Sequence, residues 1–166
     1  MSEQNDHDEA VKTLGKLILD IKFAMLTTAE PDGTLRSRPM ATQQKDFDGV
    51  LWFFTKSTTP KVDEVQKDHH VNVSYSQPDK NQYVSVSGLA TLVHDKAKEK
   101  ELWSPAYTAW FPKGLDDPEL ALLRVDVTKA EYWDTPSSAV VHVVGFVKAL
   151  ATGKPFKPGE HAKVDL

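Results

Sequence analysis

Cysteine is absent from the 166-residue chain, which excludes disulfides, thiolate metal sites and a cysteine nucleophile together. No apolar run approaches the roughly 20 residues that a membrane-crossing helix requires, so no membrane association is expected. The first ten residues, MSEQNDHDEA, are acidic and polar, whereas a secretory signal has a basic start followed by an apolar stretch. The expected location is therefore the cytoplasm. The formal net charge of −4 has the wrong sign for a broad nucleic-acid surface, which gains affinity by neutralising phosphates with Lys and Arg. It leaves room for a small, local basic pocket. Internal repeats and low-complexity segments are also lacking.

What is present is ordinary globular material, 40% hydrophobic and 27% charged, in a length suited to one domain with its own core. We read residues 1–150 as that domain. From Thr152 onward Pro, Gly and Lys accumulate and apolar residues thin out, so residues 151–166 are expected to form an extended or mobile tail.

Val11, Leu14, Ile18 and Ile21 recur at three- and four-residue steps, which predicts an amphipathic N-terminal helix with Asp6 and Glu9 capping its start. Phe23 to Thr28 reads as a strand, Glu30-Pro31-Asp32-Gly33 as a tight turn, and Thr34 to Gln43 as the returning strand. In that strand Arg36, Arg38 and Met40 share one face, and Pro39 predicts an edge position or a bulge. Asp46, Asp48 and Gly49 make a second turn before the apolar strand Val50 to Thr55, which predicts a second hairpin. Thr59 as N-cap and Pro60 at the first helical position open a short helix ending near Lys67. Strands are predicted again over His70 to Ser76 and Gln82 to His94, with Gly88 a bulge or bend in the second. Short helices fill the stretch after Asp95, and Leu122 to Trp133 and Ser138 to Leu150 return to strand. Six or seven strands joined mainly by hairpins favour an antiparallel sheet that closes into a barrel, because closure removes exposed edges.

The densest chemistry lies in Arg36-Ser37-Arg38-Pro39-Met40 and in Trp52-Phe53-Phe54-Thr55-Lys56-Ser57-Thr58-Thr59-Pro60-Lys61. A strand carrying arginines stands beside one that runs into a helix N-terminus bearing hydroxyls and a lysine. Backbone N–H groups there, the hydroxyls of Thr55, Ser57 and Thr59, and the charges of Arg38 and Lys61 suit a phosphate dianion. The same pattern also suits solvated arginines and a threonine that merely caps its helix.

Other residues offer less. The tryptophans at 52, 103, 110 and 133 suit core or interface as well as stacking on a planar ligand, and Trp110 is the one we assign to a ligand. His69 and His70 point to opposite faces of a strand start and have no third metal ligand at useful spacing, so no metal site is expected. His142 and Asp134 lack the nucleophile elbow of a serine triad. Asp116, Asp117 and Glu119 read as a solvated loop with a cap, and Lys96, Lys98 and Lys100, alternating with Ala97, Glu99 and Glu101, as an exposed helix face.

In order and spacing, these segments resemble the pyridoxamine 5′-phosphate oxidase-like superfamily, in particular its general stress protein 26 branch. The resemblance is carried by Arg36-Ser37-Arg38-Pro39-Met40, Trp52-Phe53-Phe54-Thr55 with Lys61 beyond it, and Val86-Ser87-Gly88. Trp103-Ser104, Ala109-Trp110-Phe111-Pro112-Lys113-Gly114, Leu123-Arg124-Val125 and Ala130-Glu131-Tyr132-Trp133-Asp134 continue it. It spans nearly everything from Leu14 to Val147. It implies a mainly β, six- to seven-stranded Greek-key split barrel with an N-terminal helix, binding flavin mononucleotide (FMN) at a homodimer interface. It places Arg38 and Lys61 on the FMN phosphate, with Thr55 hydrogen-bonding the phosphate end; Phe54, Ser57 and Thr59 complete the expected cofactor-binding set. Pro39, Met40 and Ala41 match the strand beside the isoalloxazine ring. Trp110 and Phe111 resemble aromatics that approach the flavin from the partner subunit, and Tyr83 stands where a flavin-contacting glutamine is common.

Two departures bear on function. The tail, Gly145 to Leu166, lacks the Arg-and-His segment that grips substrate phosphate in the vitamin B6 oxidases, which argues against that activity, and Pro60 replaces a frequent second phosphate-binding arginine. The resemblance thus implies an FMN oxidoreductase serving a small-molecule electron donor or acceptor. A flavin-binding module without turnover, and a barrel using deazaflavin or heme, are the alternatives; no histidine has an evident axial role for heme.

Overall fold

The computed structural model describes residues 2–43, 46–135 and 160–166. The strand predicted over Ser138 to Leu150, and His142 within it, lie outside the described residues. Three helices and seven strands appear among those described: α1 (Ser2–Asp20), β1 (Phe23–Ala29), β2 (Leu35–Ala41), β3 (Val50–Lys56), α2 (Pro60–Lys67), β4 (His70–Gln77), β5 (Gln82–Val93), α3 (Lys96–Leu102), β6 (Leu120–Asp134) and β7 (Glu160–Asp165). Short 3-10 turns cover Pro78–Lys80, Pro105–Ala109 and Gly114–Asp116.

All pairings are antiparallel, in the order β2-β1-β4-β5-β6-β3, with β7 added to the distal half of β6. The two ends of this path, β2 and β3, come back beside one another without ladder bonds, so the sheet curls into a half-barrel. The β1–β2 hairpin forms as its turn residues predict. Gly33 takes a φ of 85°, its N–H donates to Glu30 O, and the Asp32 carboxylate accepts from the Thr34 N–H. β2 is an edge strand, which explains why Pro39 is tolerated there.

The second predicted hairpin does not form. β3 starts directly after Gly49 and pairs with the first half of β6, with Phe54 opposite Leu122 and Thr55 opposite Ala121. Turn residues specify a reversal; they do not specify which strand receives the next one. α1 begins at Ser2, ahead of the Asp6–Glu9 pair expected to cap it, and Gln4 bonds Asp8 one helical turn on. Of the expected extended tail, Glu160–Asp165 form β7 on β6, and Val164 is buried there.

The main core packs Leu14, Leu17 and Ile18 of α1 against Leu26, Phe53, Val73, Tyr75, Val86, Leu123 and Val125 inside the curl. β3 is buried on both faces, so its apolar run is continuous: Phe53 enters this core while Phe54 enters a second, aromatic cluster with Leu102, Tyr107, Leu120 and Leu122 beneath α3. At Gly88 the β5–β6 register shifts, and a Cβ there would stand 2.6 Å from Asp126 O. The glycine is required by this close approach.

Candidate functional site

β3 delivers its last residues to the mouth of the curl, where the chain turns into α2. Two backbone bonds fix that turn, Ser57 N–H to Glu119 O at 2.8 Å and Thr59 N–H to Lys56 O at 3.2 Å. Thr59 occupies the N-cap position before Pro60, but its hydroxyl donates to Lys56 O at 2.8 Å instead of capping. It is thereby oriented to accept from Lys61 Nζ at 3.2 Å, and Thr55 Oγ1 accepts from the same ammonium at 3.2 Å. Burial, followed by the positive charges of Arg38 and Arg36, lowers the Lys61 pKa, against an opposing pull from Glu64. Among the described residues no carboxylate reaches ion-pair distance of Lys61, so a half-buried cation rests on hydroxyls alone. Such a group lacks an anion.

Arg38 is engaged elsewhere. Its Nη2 donates to Glu64 Oε2 at 2.7 Å and its Nη1 to Thr28 Oγ1 at 2.5 Å, while the Thr28 hydroxyl closes the triangle by donating to Glu64. Arg36 stands 4.0 Å from Glu64 Oε1 and 3.6 Å from Glu30. Burial of Glu64 would raise its pKa, but the bonds from Thr28 and Arg38 and the two guanidinium charges outweigh it, and the carboxyl lies below its usual range.

A cavity of about 340 Å³ opens beside Lys61, and Thr55, Lys56, Thr59 and Lys61 make its polar end. Pro39, Met40 and Ala41 form one wall, and Phe23, Phe54, Tyr107, Trp110 and Phe111 the aromatic remainder. This brings together nine of the sequence-assigned residues: Pro39, Met40, Ala41, Phe54, Thr55, Thr59, Lys61, Trp110 and Phe111. Arg38, Ser57 and Tyr83 are outside the lining. Tyr83 sits on β5 opposite Trp133, partly exposed. Trp110 and Phe111, which the resemblance brings from a partner, line the cavity of their own chain.

Sequence reasoning did not single out Phe23, Lys56 or Tyr107 as ligand contacts, nor Glu64 as the partner of Arg38. Alternation along β3 does put Lys56 on the face of Phe54, a signal that was available. Phe23 pairs across the ladder with Ala41, and Tyr107 packs on Phe54 at 5.2 Å between centroids. These relations needed the fold. A second cavity of about 560 Å³ adjoins the first and shares Phe23, Ala41, Tyr107 and Trp110 with it.

The other candidates are occupied by structural bonds. His69 Nδ1 lies 3.0 Å from Ala90 O and His70 Nδ1 3.0 Å from Asp68. Asp134 accepts from Gln82. Asp117 is buried rather than solvated; it caps Glu119 N–H and faces Lys56 at 3.7 Å. Glu99, expected on an exposed helix face, is buried and paired with Lys96 at 2.8 Å, because α3 packs that side toward the body of the protein. Trp52 is flanked by Lys98 and Arg124, Trp103 belongs to the aromatic cluster, and Trp133 stacks on His161.

The family model "Pyridoxamine 5′-phosphate oxidase like" matches residues 9–157. Protein bli-3 of Neurospora crassa is 30% identical over 158 residues, spanning 89% of this chain and 76% of that protein. Among solved structures, the general stress FMN/FAD binding protein of Xanthomonas citri superposes with a TM-score of 0.69 at 30% identity, covering 79% of this chain and 92% of its own. General stress protein 26 of Bacillus anthracis str. Sterne gives a TM-score of 0.65 at 22% identity, covering 76% and 93%. This last likeness bears on the fold alone.

Proposed function

Given that this chain belongs to the pyridoxamine 5′-phosphate oxidase-like family, we propose that it is an FMN-binding flavoprotein, an oxidoreductase that exchanges electrons with a small molecule. The observation that carries this reading is the cavity with two unlike ends. Lys61, seated on Thr55 and Thr59 with no carboxylate partner among the described residues, offers an ammonium and hydroxyls to a phosphate. The rest of the lining, Pro39, Met40 and Ala41 with Trp110, Phe111 and Tyr107, is apolar and aromatic, a surface suited to a planar ring system. The volume of about 340 Å³ falls within the range usual for small-ligand sites. The FMN/FAD binding described for the Xanthomonas citri protein supports the same choice.

Bound there, the flavin supplies the electron chemistry, and the protein binds it, orients it and shields one side from water. In this reading Lys61, Thr55 and Thr59 hold the phosphate directly. Arg38 acts across a short distance, adding positive potential while Glu64 and Thr28 keep it in place. Ser57 supports the turn through its backbone. A homodimer fits the outward side of β1 and β2, where Met25 and Leu35 are exposed on one face. The protein works in the cytoplasm, without nucleic acid or membrane as partner.

The visible spectrum of the purified protein tests the reading, with the released cofactor identified by mass. Flavin bands and FMN released in about one equivalent per chain are expected, together with bleaching by a nicotinamide donor and recovery on adding an acceptor. Colourless protein that does not take up added FMN would refute it.

A further inference from the structure

The two adjoining cavities differ in chemistry. The one already described has Lys56 and Lys61 in its lining and, among the described residues, no carboxylate. The second, of about 560 Å³, carries one charge of each sign at its edge, Lys22 and Glu101, both exposed. Its walls include Trp103, Tyr107, Trp110 and Phe23. Phe23 and Trp110 are 53% and 52% exposed and meet edge to face at 6.1 Å. Large aromatics left this open along a hollow lower the free energy of any flat apolar molecule that covers them. Glu101 is itself paired with Lys98 at 3.0 Å, and the rest of the described lining carries no charge, so the interior of the hollow holds no charged group to bind an ion.

Ala41, Phe23, Tyr107 and Trp110 belong to both hollows, so an occupant of the second lies against an occupant of the first. Each hollow by itself is of a size usual for a small-molecule site.

We infer that the second cavity is a separate binding site for an uncharged, planar aromatic molecule of the quinone type, seated between Trp103, Tyr107 and the Phe23–Trp110 pair. This inference rests on the flavoprotein reading, since it makes the site that of the small molecule exchanging electrons with the cofactor. Ala106 lines only this cavity and lies exposed on the 3-10 turn, so a larger side chain there blocks the hollow without touching the cofactor wall.

The test titrates 1,4-naphthoquinone into the full-length protein, with and without FMN, following quenching of tryptophan fluorescence. Saturable binding is expected, and FMN and naphthoquinone should bind together. Ala106→Trp should weaken naphthoquinone about tenfold or more while FMN affinity stays within about twofold. Ala106→Leu, a milder block, should give a smaller loss in the same direction. Competition between the two ligands, or naphthoquinone binding indifferent to both substitutions, overturns the second site. Failure of wild-type protein to bind FMN strikes the flavoprotein reading, a separate result read in the titration without quinone.

Discussion

Arg38 Nη2 stands 2.7 Å from Glu64 Oε2, joining the edge strand β2 to helix α2 through a carboxylate that also receives the hydroxyl of Thr28. Both terminal nitrogens of Arg38 are thereby spent inside the protein. Glu64→Ala leaves a largely buried guanidinium uncompensated and should cost about 3 kcal/mol of stability, measured by urea unfolding. Glu64→Gln retains hydrogen-bonding capacity and should cost less.

The same carboxylate gives the fold an acid limb. Its pKa lies below the ordinary 4.5, so the folded state binds fewer protons there than the unfolded chain. The stabilisation is complete above the ordinary value and is lost as the pH falls through the lowered one. Unfolding midpoints between pH 7 and pH 3 should therefore decline less steeply in Glu64→Gln than in wild type; parallel curves would remove Glu64 from the acid response.

Lys61→Met should weaken FMN by about 2 kcal/mol, close to thirtyfold, as a charged hydrogen bond to phosphate is lost. Because burial and the neighbouring arginines lower the Lys61 pKa below the usual 10.5, affinity should fall as pH rises through that lowered value. Lys61→Arg stays charged and should hold its affinity to higher pH. Equal alkaline decline in both proteins would assign the loss to another group.

Gly88→Ala puts a methyl 2.6 Å from Asp126 O and 2.7 Å from Val125 Cγ1. The backbone on both sides is in the ladder, so relief requires strand movement, and a loss of about 1 to 3 kcal/mol is expected. Thermal unfolding measures it, and a neutral result would mean that the bulge yields more readily than its packing indicates.

Met25→Lys combined with Leu35→Lys places charges on the outward face of β1 and β2, where both side chains are already exposed. Sedimentation should show a dimer weakened about tenfold or more, with circular dichroism unchanged. An undisturbed dimer would move the interface off this face.

The sequence made local structure legible because each element carries its own instruction. Pro31-Asp32-Gly33 fixes the hairpin, Thr59-Pro60 starts α2, and Gly88 marks the bulge. Partner choice was not legible: β3 lies against β6, some 70 residues on, and nothing in the Asp48-Gly49 turn encodes that. The site divides in the same way. Lys61 and its two hydroxyls lie within seven residues and were found together. Glu64 escaped notice because three residues beyond Lys61 it reads as one more acidic residue on a short helix, and only the meeting of β1, β2 and α2 gives it Arg38. Lys56 reads as the polar end of a strand until Asp117 and Glu119 gather around it.

β6 carries β5 on one edge, and β3 and β7 in succession on the other. Side chains alternate along a strand, so sliding β3 by a single step against Ala121 would carry Thr55 to the opposite face and leave Lys61 with one hydroxyl in place of two. The register of a ladder formed far along the chain thus decides whether an anion finds a prepared seat, and substitutions in β6 that touch no ligand are able to spoil it.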